Sequence, residues 1–276
     1  MREKVLTFLN SSPLVGIITE PDAKKQMEQK PAVLFWNAGF LHRVGPYRLY
    51  VDMARKLAAM GFLAVRFDLS GKGDSKPRRD EGLEKERAAR DVREVMDLVS
   101  AKTGIEEFVL IGLCSGADDA FPIAVEDSRV SGLVLLDGFA YRTIRYYVPY
   151  YLMRIFIWQR WKNFISRKFH ELFLHTERKV ENYIREFPPK AKVKQDLLHL
   201  IERGVNLLFV YSGEVKEYYN YKGQFKDMLK PIAMNEKLQS EYFDKATHTY
   251  TRLDDRKMLM TCICDWLNKH YIDSQK

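Results

Sequence analysis

Short uninterrupted apolar runs recur along the chain, separated by stretches in which apolar and charged positions follow helical spacing. "AVLFW" (32–36), "FLAVRF" (62–67), "FVLIG" (108–112), "GLVLLD" (132–137) and "NLLFVY" (206–211) are such runs. Continuous apolar runs of this length suit strands covered on both faces, as in a parallel sheet. "LQSEYF" (238–243) predicts a final edge strand. At the N-terminus, "EKVLTFLN" and "PLVGIITE" are split by Asn10-Ser11-Ser12-Pro13, which predicts a hairpin. Between the runs, "PYRLYVDMARKLAAMG" (46–61) carries apolar residues at i, i+3 and i+4 and stops at Gly61. "EGLEKERAARDVREVMDLVSAKTG" (81–104) and "DRKMLMTCICDWLNKHY" (255–271) predict two further helices. Strand and helix alternate, so the predicted class is α/β, with a mostly parallel, doubly wound sheet and an antiparallel N-terminal hairpin.

Residues 139–203 break that alternation. They follow the strand-like run that ends at Asp137 and read as helical, aromatic sequence. The expected division is a core of 1–138 and 204–276 with a helical cap inserted at 139–203. An insertion after such a strand sits over the C-terminal edge of the sheet, where it can act as a lid.

Charge sharpens this division. The chain has a formal net charge of +8. Residues 139–195 hold 13 Lys/Arg against 4 Asp/Glu, so the basic character belongs to this segment and the remainder is close to neutral. Within it, 139–170 carries 11 aromatics, 7 Lys/Arg and no Asp/Glu. Three uses fit that composition: a lid burying its aromatics on the core, a lid lining an acyl pocket with a basic rim, and an interfacial foot on anionic membrane. Tyr141, Tyr146 and Trp158 are the candidate substrate contacts. Nucleic acid ranks last, because no recognised nucleic-acid motif accompanies the basic and aromatic residues.

A chain of 276 residues with 46% hydrophobic and 30% charged content can bury a full core. Three cysteines argue against a disulfide framework and point to a reducing cytoplasm. Cys262 and Cys264, two apart on a predicted helix, point in different directions. No long apolar leader opens the sequence and no run of about 18 apolar residues is free of Arg, Lys or Pro, so neither a signal peptide nor a spanning helix is expected.

"FVLIGLCSGADDA" (108–120) carries the chemistry. Gly112-Leu113-Cys114-Ser115-Gly116 follows a predicted strand and opens a helix-like stretch, the setting of a nucleophile elbow. The glycines permit a sharp turn, and the residue between them is presented above the sheet. Cys114 therefore holds the reactive position, while the Ser115 amide faces the same space as one oxyanion donor. A thiol needs a base less than a hydroxyl does, since its pKa starts near ~8.5 and falls beside an imidazole or a helix N-terminus. Among six histidines, His248 lies in "DKATHTYTRLDD", between the last strand and last helix, in a loop that opens on the same sheet edge. An orienting acid belongs between nucleophile and base in the chain. Glu217 is the favoured candidate, with Glu214 and Asp137 as alternatives. The second oxyanion donor is expected from "NAGF" (37–40), with Phe40 chosen and Asn37 a brace.

"NAGFLHRVGPYRLYVDMARKLAAMGFLAVRFDLSGKGDS" (37–75), "GLCSGA" (112–117), "LLDGFAYRT" (135–143) and "ATHTYT" (246–251) together resemble the α/β-hydrolase superfamily. More narrowly they resemble its serine-aminopeptidase-like branch, including hydrolases found beside exosortase and exopolysaccharide genes. The resemblance covers about 15–140 and 205–270. It implies Cys114 as nucleophile, His248 as base, and Phe40 and Ser115 at the oxyanion hole. It also implies that "RFDLSGKGDS" (66–75) is a structural turn rather than a phosphate loop. Cys stands where these enzymes usually carry Ser, as in dienelactone-hydrolase-like proteins, and Glu217 where they usually carry Asp. The expected activity is hydrolysis of an ester or thioester through a Cys-His-acid triad, without metal or organic cofactor. Alternatives are acyl transfer on the same scaffold, or a binding protein that has lost the chemistry. The expected partner is a small acyl substrate, with peripheral contact to anionic membrane through 139–170.

Overall fold

The computed structural model describes residues 1–7, 14–22, 30–78, 82–148 and 187–273. Eight strands form one sheet: β1 (Arg2–Thr7), β2 (Val15–Glu20), β3 (Ala32–Trp36), β4 (Ala64–Phe67), β5 (Phe108–Leu113), β6 (Val130–Leu136), β7 (Asn206–Ser212) and β8 (Leu238–Phe243). Their spatial order is β1-β2-β4-β3-β5-β6-β7-β8. The hairpin β1–β2 and the β2–β4 pair are antiparallel, and every later pair is parallel. Every predicted strand is present, and "LQSEYF" closes the far edge.

The continuous apolar runs alternate between two separate cores. In β3, Leu34 and Trp36 face one core while Val33 and Phe35 face the other; in β7, Leu207, Phe209 and Tyr211 oppose Leu208 and Val210. A strand buried on both faces must be apolar at every position. Helices α1 (Leu49–Ala59) and α6 (Leu253–Tyr271) cover one face. Helices α2 (Glu84–Thr103), α3 (Ser115–Glu126), α4 (Lys190–Glu202) and the short α5 (Gln224–Leu229) cover the other.

The predicted first helix starts later than its pattern suggests. Tyr47 and Arg48 have positive φ (48° and 66°), so Pro46–Arg48 forms a separate 3₁₀ turn before α1. Helix α2 ends in a left-handed C-cap at Gly104, as expected.

The insertion expected at 139–203 needs a correction at its C-terminal end. Helix α4 buries Val193, Leu197 and Leu200 completely, in the same core as α3 and β6. Strands β6 and β7 are parallel neighbours, so a crossover must return the chain across a sheet face, and α4 is that crossover. Residues 190–203 therefore belong with the sheet. The greater part of the expected cap, 149–186, lies outside the described residues.

Candidate active site

Strand β5 delivers Leu113 to the C-terminal edge of the sheet, and the chain then turns sharply into α3. Cys114 sits at the bend with φ 56° and ψ −117°, a conformation that costs a non-glycine residue about 1–3 kcal/mol. Flanking bonds hold it there: its N–H donates to Leu136 O (2.9 Å), and its carbonyl accepts from the amides of Ala117 (3.0 Å) and Asp118 (3.2 Å). The glycine pattern follows from this packing. A Cβ on Gly112 would lie 2.2 Å from the Gly116 carbonyl oxygen, and one on Gly116 would press at 3.1 Å on that of Asn37. Ser115 is the first residue of α3, so its N–H has no intrahelical acceptor.

His248 comes from the loop between β8 and α6. That loop is pinned by Gly213 N–H to Ala246 O (2.9 Å), by Thr251 N–H to Thr247 Oγ1 (2.9 Å), and by the His248 amide donating to a Glu214 carboxylate oxygen (2.6 Å). The ring Nδ1 meets Asp137 Oδ2 at 2.7 Å. Asp137 follows β6, is fully buried, and adopts φ 50°. Its carboxylate also accepts the Ser212 amide (2.6 Å) and the Ser212 hydroxyl (2.8 Å) at the end of β7. On its other side His248 hydrogen-bonds Cys114. The Asp137 carboxylate first, and the Cys114 sulfur second, push the His248 pKa up to about 10 against the opposing effect of burial. Both contacts favour the protonated ring.

The carboxylate that meets the His248 ring is that of Asp137, one of the alternatives carried from the sequence, and not that of Glu217. Beyond Ser212 the chain turns away through hydrogen bonds from Tyr218 and Tyr219 N–H to Val215 O, which leaves the Glu217 side chain exposed. Glu217 contributes only its carbonyl, which accepts from Arg142 Nε (2.8 Å) and the Tyr146 hydroxyl (2.7 Å). Glu214 fixes the backbone of His248 and not its ring. Both β6 and β7 end on the same sheet edge, and the positive φ of Asp137 is what turns its carboxylate toward the histidine.

The loop after β3 is braced from below. Buried Asn37 donates through Nδ2 to Leu41 O (2.6 Å) and Asp68 Oδ1 (2.9 Å), and accepts from the Leu69 amide (2.6 Å). Asp68 also takes the Arg43 amide (2.7 Å) and guanidinium. Gly39 N–H donates to Ser115 Oγ at 2.7 Å, tying the loop to the start of α3. Phe40, next in the loop, has a fully exposed side chain. The turn at 66–75 is structural: Ser75 Oγ bridges Asp68 O (2.6 Å) and the Val15 amide (2.9 Å). His42, Asp68 and Asp74 lie close enough to share a cation, but Arg43 Nη1 already sits among them, 2.7 Å from both His42 Nε2 and Asp74 Oδ2.

Two of the residues expected to contact substrate have other employment. The Tyr141 hydroxyl donates to Pro188 O (2.5 Å), and that of Tyr146 to Lys216 O (2.8 Å) and Glu217 O (2.7 Å). The Tyr146 phenol ties the start of the insertion to the loop after β7, and the Tyr141 phenol joins that start to the returning chain at Pro188. Trp158 lies outside the described residues.

An eight-stranded, mostly parallel sheet with a strained residue at the β5–α3 bend, and a histidine brought to it from the last loop, defines an α/β-hydrolase fold. Residues 32–203 match the family described as serine aminopeptidase, S33, and the chain belongs to that family. No curated protein matches the chain. Among solved structures, it is similar to an α/β serine hydrolase without lid from Xanthomonas campestris (14% identity, 96% of this chain and 95% of that one, TM-score 0.53). It is similar as well to an α/β serine hydrolase homologue from Coxiella burnetii (15%, 98% and 97%, 0.57) and to the α/β hydrolase GrgF from a Penicillium species (14%, 98% and 98%, 0.56).

Proposed function

We propose that this protein hydrolyses a carboxylic ester or thioester through a Cys114–His248–Asp137 triad and an acyl-thioenzyme. The observation that carries the proposal is the placement of His248, bonded to buried Asp137 at 2.7 Å on one side and to Cys114 on the other. Ser115 does not hold the strained position and its hydroxyl is turned to Gly39, which supports sulfur rather than oxygen as the attacking atom.

In the first half-reaction the Cys114 thiolate attacks the carbonyl carbon. The oxyanion so formed is held by amides at the mouth of α3 and the β3–α1 loop, those of Ser115 and Phe40. His248 then gives its proton to the departing alkoxide or thiolate, leaving Cys114 acylated and the imidazole neutral. In the second half, His248 takes a proton from water, the resulting hydroxide adds to the thioester carbonyl, the C–S bond breaks to expel the Cys114 thiolate, and the carboxylic acid leaves and gives its proton to solvent. The thiolate–imidazolium pair is restored. Asp137 stays ionised throughout and fixes the ring with Nδ1 as donor.

A reducing compartment suits such a thiolate.

A panel of p-nitrophenyl esters and acyl thioesters tests the proposal. Wild type should turn over at least one class, Cys114→Ala should not, and mass spectrometry of a trapped intermediate should place the acyl group on Cys114. Turnover that survives Cys114→Ala, or an acyl group on Ser115, refutes it.

A further inference from the structure

We propose that the hydroxyl of Ser115 is a third oxyanion donor, acting through its side chain in addition to its amide. The inference goes beyond the triad and rests on the acyl-thioenzyme reading. Ser115 directly follows the attacking residue and begins α3, where the unpaired amides and the helix dipole favour negative charge. Its Oγ accepts the Gly39 N–H at 2.7 Å, which uses a lone pair and fixes the side-chain rotamer toward the β3–α1 loop. The hydroxyl proton finds no acceptor among the described residues. A hydroxyl that accepts one bond becomes a better donor for the next, because the bonds polarise one another. Gly39 N–H, Ser115 Oγ–H and the oxyanion form such a relay.

The same contact settles the duty of the loop amides. Gly39 is committed to Ser115, so it acts on the oxyanion only through that hydroxyl. Phe40 N–H has no acceptor among the described residues and remains a direct donor. The hole then consists of the Ser115 amide, the Ser115 hydroxyl and the Phe40 amide. The loop itself is held from the opposite side by Asn37 and Asp68, so it does not need Ser115 for its shape.

Three measurements on wild type, Ser115→Ala, Ser115→Thr and Cys114→Ala test this. The first is the acylation rate with p-nitrophenyl acetate. The second is affinity for an alkyl trifluoromethyl ketone, which adds to the sulfur and forms an oxyanion. The third is alkylation of Cys114 by iodoacetamide, a displacement at carbon that passes through no oxyanion. Losing one oxyanion donor typically costs about 10²–10³ in rate, so Ser115→Ala should lower acylation by about 10² and weaken the ketone in parallel. Iodoacetamide alkylation should stay at the wild-type rate, and Ser115→Thr should recover acylation to within about tenfold. Acylation by Ser115→Ala at the wild-type rate overturns the inference. So does a matching fall in alkylation, which marks a merely structural serine. Failure of the underlying reading is separate and visible, because Cys114→Ala would then acylate like wild type.

Discussion

His248 lies between two groups that both favour its protonated form. Asp137 and Cys114 raise its pKa from the ordinary 6.5 to about 10. A group whose folded pKa is raised stabilises the fold fully below its unfolded pKa and loses that contribution as pH rises through the folded one. Stability should therefore decline between roughly pH 6.5 and about pH 10, and His248→Gln should remove that part of the slope in urea titrations at several pH values. An imidazole resonance followed by NMR should titrate near 10 in wild type and at lower pH in Asp137→Asn. Kinetics separate the two carboxylates considered for the triad: Asp137→Asn should lower kcat by about 10²–10⁴, whereas Glu217→Gln should leave it unchanged. The meeting of Cys114 and His248 was legible because each sits in a local pattern, a glycine-framed turn after an apolar strand and a loop before the last helix. The carboxylate that joins them was not, because Asp137, Glu214 and Glu217 all follow strands that end on one edge. Only the backbone twist at Asp137 and the two bonds from Ser212 distinguish it. The other two thiols are held protonated: burial pushes Cys262 up to about 12 and also raises Cys264. Iodoacetamide at pH 7 should consequently label Cys114 while leaving both helical cysteines untouched.

The bend between β5 and α3 shows how elements constrain residues. Gly112 faces the Gly116 carbonyl so closely that no side chain fits without moving α3 off the strand. Gly112→Ala should cost at least about 3 kcal/mol, the upper end for overpacking, and more than Gly116→Ala, whose contact is only slightly tight. Helix α4 provides the complementary case. Its apolar positions 193, 197 and 200 recur at helical spacing, a signal present in the sequence, but its lysines continue the charge run of the insertion and hid it. The need for a crossover between parallel neighbours decides the matter. Leu197→Ala should cost about 2–5 kcal/mol of global stability in urea unfolding, as expected of a core leucine and not of a detachable lid. The central strands β3, β5, β6 and β7, by contrast, were fully legible, because burial on both faces leaves them almost wholly apolar.

At the scale of the molecule, charge is the feature that neither fold nor triad explains. The formal +8 is concentrated in 139–195, which follows directly in sequence on β6 and Asp137. No helix among the described residues is long and apolar enough to cross a membrane. The stem of the insertion already pairs its cations with rings: Arg142 lies 5.4 Å from the Tyr146 ring centroid and Arg145 5.2 Å from that of Tyr221. Those two guanidinium groups are therefore partly engaged. The other basic residues of the aromatic stretch, Arg154, Arg160, Lys162, Arg167 and Lys168, lie outside the described residues. We propose that this segment contacts anionic lipid peripherally, each basic residue near the surface contributing about 1 kcal/mol. Such attraction is screened within about 10 Å at 0.1 M salt. Co-sedimentation with phosphatidylserine vesicles should accordingly be strong at low salt, fall steeply as salt is raised, and fail with neutral vesicles. Reversing Arg154, Arg160, Lys162 and Arg167 to glutamate should abolish it while leaving iodoacetamide labelling of Cys114 intact. Absence of binding to anionic vesicles at low salt would assign the basic charge to the substrate instead, and the same variant should then raise KM for an acidic acyl substrate over a neutral one.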